Sequence, residues 1–222
     1  MSNGLPYKTV WVEYPDIEAL CKKIGAPPTA TKPDGSSFYT LPVIFDPTTN
    51  TAVSDSILIA EYLDKTYPDT PKLLPVGTRP LQRAFLDAYN PISSPVFQFA
   101  LPATHKILRP ASQPYFRLHR EKLFGKTFEE LVPTGAARDV EWAKVKDGFN
   151  VVDGWLQASK EDGPYALGQT PGFVDFFIGA RLTWFRLVFG EDSEEWKDIT
   201  SWNEGRWAAF AEGLKKYEAV DL

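Results

Sequence analysis

Two hydrophobic periods alternate along the first part of the chain. Thr9 to Tyr14 (TVWVEY) is β-branched and aromatic, with Val10 and Val12 on one face, and predicts a strand. Ile17, Leu20, Cys21 and Ile24 then recur at i, i+3, i+4 and i+7, which is one helix face, with Asp16 at the N-cap. Gly25 suits the position after that helix, and Pro27 and Pro28 prevent its continuation. TKPDGSS reads as a turn. FYTLPVIFD and TAV predict two short strands joined by a DPTTN turn. Ser56 to Tyr67 predicts a helix with Ile59, Leu63 and Tyr67 on one stripe. The Pro-rich, polar stretch YPDTPKLLPVGTRP predicts an interdomain linker.

From Leu81 onward only helical patterns appear. LQRAFLDAYNPISSPVFQFAL contains Pro91 and Pro95, so a broken or kinked helix is expected. QPYFRLHREKLFGKTFEELV is a second helical region, interrupted at Gly125. After Asp139, the residues Trp142, Val145, Phe149, Val152 and Leu156 repeat at alternating spacings of three and four, a strongly amphipathic helix. PGFVDFFIGARLTWFRLV is apolar on most faces and predicts the buried central helix of this half. A last helical region starts near Ser193. The expected organisation is therefore a small α+β domain over 1–70, a linker over 71–80 and an all-helical domain over 81–222.

Composition narrows the function classes. The chain has 222 residues, 43% of them hydrophobic and 14% aromatic, enough for a substantial core. Its net charge of -5, with no Lys/Arg run, gives no argument for nucleic-acid binding. No apolar run approaches the ~20 residues of a membrane span, and no secretory leader is recognisable. Cys21 is the single cysteine, which excludes an internal disulfide and a Cys-based zinc site and fits a reducing, cytoplasmic setting. His105 and His119 are too far apart for one helix face, so no metal is expected.

Two short features carry candidate chemistry. Leu41-Pro42 sits where a strand should begin. A proline there suits an ordinary edge strand, or, with a cis peptide bond, turns the Leu41 backbone outward to pair with an extended peptide-like ligand. Asp55-Ser56 opens a helix. Ser54 or Asp55 serves as a plain N-cap on one reading. On the other, Ser56 and the helix N-terminus receive a carboxylate while Asp55 accepts from an ammonium group.

Together, LPVIFD…SDSILIAEYLDKTYPDTPKLLP resembles the thioredoxin-fold domain of cytosolic glutathione transferases. GQTPGFVDFFIGARL is similar to the buried helix of that family's all-helical C-terminal domain, and PYKTVWVEYPDI with LPVIFDP resembles the fungal Fu-A class, related to bacterial β-etherases. The resemblance implies an α+β thioredoxin-like domain followed by an all-α domain. It implies glutathione as co-substrate, with Leu41 gripping the cysteinyl part through its backbone and Pro42 holding that backbone. Asp55 and Ser56 would bind the γ-glutamyl end. Asp175 would stabilise the start of the buried helix. Gly172 stands where the family usually has Ser or Thr, so the side-chain half of that capping box is lost. Phe97, Phe99 and Tyr115 lie on regions that line the family's acceptor pocket, or are core aromatics. A hydrophobic or aromatic electrophile is the implied partner, conjugated to glutathione or cleaved at an aromatic ether. The family is usually dimeric, although no direct dimer signal is present.

The resemblance also implies a strand and helix ahead of YKTVWVEY, carrying the Tyr, Ser or Cys that activates the thiol. Six residues, MSNGLP, precede Tyr7, and a strand with a crossover helix needs a dozen or more. The expectation is a domain truncated at its start, with unpaired edges or exposed apolar surface, and no assigned catalytic residue. Cys21 reads as core, and neither Tyr7, Tyr39 nor Tyr89 can be placed as a substitute. A non-catalytic binding or scaffold protein on the same fold, or a start site placed too late, are the alternatives.

Overall fold

Residues 4–13 carry no regular secondary structure in the computed structural model, which describes residues 4–219. The strand predicted over Thr9–Tyr14 does not form. Its β-branched, aromatic composition is suitable, but a strand exists only through ladder hydrogen bonds, and among the described residues no segment pairs with it. The exposed apolar surface expected of such a segment is present, with Val10 at 68% and Trp11 at 69% accessibility. The segment is anchored at its far end instead. The Tyr14 amide donates to the Ser112 hydroxyl at 2.9 Å, and that hydroxyl donates to the Glu13 carboxylate. Arg109 lies 3.6 Å from the same carboxylate. These contacts explain why Arg109–Tyr115 groups with residues 4–74 in one compact unit, while residues 75–108 and 116–219 form another.

In the first unit, helix α1 (Ile17–Lys23) buries Cys21, and Gly25 takes the left-handed conformation after it at φ 72°. Asp16 stands at the N-cap but makes no side-chain capping bond. Two antiparallel hairpins follow, β1 (Ala30–Thr31) with β2 (Ser37–Phe38), and β3 (Val43–Asp46) with β4 (Thr51–Ser54). Helix α2 (Ser56–Thr66) buries Ile57, Ala60 and Leu63, so its apolar stripe is centred nearer its start than the Ile59–Leu63–Tyr67 pattern suggested. Tyr67 has a polar role. Its hydroxyl and that of Tyr62 each donate to Asp46 Oδ2 at 2.6 Å, and the Thr48 amide donates to Oδ1 at 2.9 Å. Asp46 is 8% exposed, and these donors, the Tyr62 hydroxyl foremost, hold its carboxyl down at about 2.

The second unit is all-helical. Helix α3 (Arg79–Ser93) runs through Pro91 without breaking. The chain redirects only at a 3₁₀ turn, Ser94–Val96, around Pro95, before α4 (Phe97–Ile107). Pro91 gives up one N–H bond, to the Asp87 carbonyl, and the helix ends two residues later at Ser93. Helix α5 (Gln113–Phe124) takes its first residues from the other unit and ends at Gly125, which is left-handed at φ 66°. A short α6 (Phe128–Leu131) carries a complete capping box between Thr127 and Glu130. Helix α7 (Gly135–Gln157) buries Trp142, Val145, Val152 and Leu156, four of the periodic positions, and Phe149 packs edge-on to Trp202 and Trp207.

Helix α8 (Phe173–Phe189) is the central element, with Ile178, Leu182 and Phe185 at most 2% exposed. Helix α9 (Glu194–Leu214) begins at Ser193, whose hydroxyl accepts from the Trp196 amide at 3.0 Å. It bends sharply where Asn203, Glu204 and Gly205 are all left-handed, and the Trp207 indole donates to Asn203 Oδ1 at 2.7 Å across the bend. At the start of α8, Asp175 is fully buried and accepts from the Gly172 amide at 2.8 Å and the Ala166 amide at 2.9 Å. Gly172 has no side chain to return a bond, so the carboxylate alone caps the helix while also holding the preceding loop.

Two outcomes follow from these polar anchors. A carboxyl held below the usual value near 3.9 adds stability that is present above ~pH 4 and lost as pH falls through about 2. The wild-type advantage over Asp46→Asn, read by thermal melts at several pH values, should be full at pH 5 and nearly gone at pH 2. Asp175→Ala leaves two buried amides without acceptors, and urea unfolding should show a loss of about 2 kcal/mol or more.

Candidate functional site

Pro42 has no N–H to give a ladder, and the β3–β4 pairing begins one residue later, with Val43 opposite Ser54. The ladder stops at that pair, because Asp55 turns out of the strand at φ 79° and Ser56 begins α2, so Leu41-Pro42 and Asp55-Ser56 are the segments that flank it. The two features singled out in the sequence therefore meet at one end of one hairpin. The peptide bond between Leu41 and Pro42 is cis. Leu41 is 43% exposed, and among the described residues its backbone forms no hydrogen bond. An amide and a carbonyl stand open beside the start of α2.

The polar trio before α2 divides its labour. Ser54 is 2% exposed, and its hydroxyl donates to the Pro27 carbonyl at 2.7 Å, which ties the hairpin to the loop after α1. Asp55 is the N-cap. Its Oδ1 accepts from the Ile57 amide at 3.0 Å, leaving Oδ2 without a partner among the described residues. Its backbone is left-handed at φ 79° and ψ 129°, a conformation that costs a non-glycine residue of order 1–3 kcal/mol. The Ser56 hydroxyl has no partner among the described residues. The first-turn amides of Ser56 and Leu58 precede the first helical bond, from the Ile59 amide to the Asp55 carbonyl at 2.9 Å.

These groups form a bipolar receptor. The helix N-terminus, its open amides and the Ser56 hydroxyl attract an anion. The free oxygen of Asp55, one residue away, attracts a cation. A zwitterionic amino-acid group satisfies both, and the exposed Leu41 backbone gives an extended ligand a strand-like pairing surface. The register that brings the two features together could be suspected from the length of the DPTTN turn. The strained Asp55 backbone and the structural use of Ser54 had no signal in the sequence.

The remaining candidates lie as follows. Cys21 is 1% exposed, and burial pushes its thiol up, so it is not poised as a nucleophile. Tyr39 has the Lys22 ammonium 5.7 Å from its ring centroid. Tyr7 is half-buried. Tyr89, in the helical unit, is 5% exposed, and desolvation raises its phenol to about 12. Phe99 is a core residue, edge-on to Trp142 at 5.0 Å. Phe97, at the first position of α4, is only half-buried, next to Trp184. Tyr115 is half-buried and groups with the first unit. Among the described residues no helix is long and apolar enough to cross a membrane, and no cluster is able to ligate a metal ion.

Comparison with known proteins places both units. Residues 2–66 match the model for the glutathione S-transferase N-terminal domain, and residues 80–217 match that for the C-terminal domain. The glutathione S-transferase-like protein ustS of Aspergillus flavus is 29% identical over 93% of this chain and 76% of its own length. Among solved structures, the chain is similar to CsGST83044 of Ceriporiopsis subvermispora, a glutathione S-transferase in complex with glutathione. The TM-score is 0.92 and the identity 42%, over 97% of this chain and 87% of that one. Glutathione transferase GSTFuA3 of Phanerochaete chrysosporium gives a TM-score of 0.92 and 44% identity, over 100% of this chain and 87% of its own.

Proposed function

Because the chain belongs to the glutathione S-transferase family and resembles its fungal Fu-A class, we propose that it binds glutathione at the Leu41–Ser56 end of the β3–β4 hairpin. In this reading it presents the thiol to a hydrophobic, aromatic electrophile. The observation that supports the proposal is that the open Leu41 backbone and the unpaired groups of Asp55 and Ser56 flank the same last pair of the ladder, Val43 with Ser54. Leu41 pairs with the cysteinyl residue, as a strand would, and Pro42 fixes that backbone. The Asp55 Oδ2 accepts from the γ-glutamyl ammonium. The Ser56 hydroxyl and the helix N-terminus hold its carboxylate. A glutathione complex of the relative CsGST83044 supports the ligand.

The chemistry is attack of the glutathione sulfur, its proton lost to solvent, on a carbon of the electrophile: the C–S bond forms as chloride leaves an aryl chloride, or as a phenolate leaves an aromatic ether. Phe97, half-buried at the start of α4, is the proposed contact of the acceptor substrate in the helical unit, and the extended reading includes a homodimer in the cytoplasm. A second reading, binding without turnover, is favoured by one observation. Cys21, the chain's single thiol, is buried with a raised pKa, and no hydroxyl has been placed beside the bound thiol.

Two measurements separate these readings. Calorimetric titration with glutathione should show saturable binding. Asp55→Asn, which keeps an acceptor for the Ile57 amide, should weaken it by about tenfold or more while the melting temperature barely moves. Asp55→Ala should weaken binding equally and also cost about 1 kcal/mol of stability through the lost cap. An undiminished affinity in Asp55→Asn removes the proposed site. With glutathione and an activated aryl chloride, a rate above the uncatalysed reaction supports transfer, whereas binding at the background rate selects the non-catalytic reading.

A further inference from the structure

Both halves of α9, on either side of the left-handed stretch at Asn203–Gly205, line one cavity of ≈ 220 Å³ together with the second half of α8. All of its lining belongs to the helical unit. An apolar cavity of about 150 Å³ holds a benzene ring, so this one has room for a six-membered ring with its substituents. Ala208 and Ala211, neighbours on one face of α9, keep the space open because neither side chain extends beyond Cβ.

The charges in the lining are already paired. Arg186 donates to Glu191 at 3.2 Å and to Glu218, and Glu218 also accepts from the Thr183 hydroxyl at 3.0 Å. Lys215 lies 3.4 Å from Glu212. Each pairing leaves hydrogen-bonding capacity over. A guanidinium has five N–H donors, and Arg186 uses two of them among the described residues. Glu191 Oε2 and Glu212 Oε1 accept from no group there. The Trp196 indole is also unused. Buried indole N–H groups normally find an acceptor, as Trp142, Trp184 and Trp207 do on Asp198, Thr104 and Asn203. Trp196 and Trp202 donate to nothing among the described residues, and Trp196, 9% exposed, is the one in the cavity wall.

We propose that this cavity is a binding site for a small neutral polyol of monosaccharide size. A hydroxyl both donates and accepts. Sugar hydroxyls therefore take the spare N–H groups of Arg186 and Trp196 and give to the spare oxygens of Glu191 and Glu212, and no existing ion pair has to break. Ions fit less well. Arg186 and Lys215 face three carboxylates, so an anion meets an excess of negative charge, and an ammonium must compete with both cations for carboxylates they already hold. An apolar ligand leaves all of the spare groups without partners. The site shares no residue with the Leu41–Ser56 surface and needs no glutathione, so it stands or falls independently of the thiol chemistry.

Saturation-transfer NMR of the full chain with D-glucose and with cyclohexanol, both without glutathione, tests the assignment. Glucose should bind saturably at one site. Cyclohexanol, which keeps the ring and a single hydroxyl, should bind at least about tenfold more weakly, the equivalent of one hydrogen bond to a charged group. D-glucosamine, the ammonium counterpart, should bind no more tightly than glucose. Ala208→Leu fills the cavity from an exposed position with a good helix former, and should abolish glucose binding while glutathione affinity and melting temperature hold. Glu212→Ala, also at an exposed residue, should weaken glucose about fivefold. Absence of glucose binding, equal binding of cyclohexanol, tighter binding of glucosamine, or a glucose affinity unchanged in Ala208→Leu would overturn the proposal.

Discussion

The first unit depends on a ladder of four residue pairs, Val43 to Asp46 against Thr51 to Ser54. Its register does two things at once. At the turn end it delivers Asp46 to the tyrosines of α2, which bolts the helix to the sheet. At the open end it closes on Val43 and Ser54, leaving Pro42 and Asp55 as the residues that flank the last pair. A shift by one residue would undo both, because every side chain would change face. The strong pairing of Asp46 with Tyr62 and Tyr67 therefore serves the opposite end of the hairpin. It fixes the helix that opens at Asp55 and Ser56, the residues proposed to hold the ligand.

The helical unit relies on a comparable single anchor. Asp175 takes both available amides at the start of α8, and the aromatic core then assembles around that helix. Close approach is part of this packing. A Cβ on Gly148 of α7 would come within 2.5 Å of the Ile92 carbonyl oxygen, so α3 and α7 pack at a distance only glycine permits. The core is tight enough that Phe99 and Tyr89 are fully enclosed. Phe97 escapes enclosure because the 3₁₀ turn at Pro95 places it at the very start of α4.

Much of this was legible in the sequence. Helix periodicity located α1, α2, α7 and α8, and Gly25 and Gly125 marked where helices stop. The LPVIFD and SDS signals mark the cis Leu41–Pro42 bond and the start of α2. What failed did so for identifiable reasons. TVWVEY has strand composition, but composition reports fit to a pleated surface and cannot supply the neighbouring strand that makes the ladder. The break expected of the stretch holding Pro91 and Pro95 is present, and it falls at the Ser94–Val96 turn. The Asp46 cluster was invisible because its members are contributed by a strand end and by two positions on a helix, with nothing in the local pattern to join them.

Polar satisfaction separates scaffold from binding surface throughout the molecule. Ser54, Ser112, Asp46, Asp175 and Arg186 are polar, sit within the fold and have partners, and each fastens one segment to another. The Leu41 backbone, the second oxygen of Asp55 and the Ser56 hydroxyl have none among the described residues. Where such groups reach the surface, water meets them, and a ligand with matching groups displaces that water. In the first unit the open groups are paired in sign, donors for an anion beside an acceptor for a cation, the pattern of a zwitterion's complement.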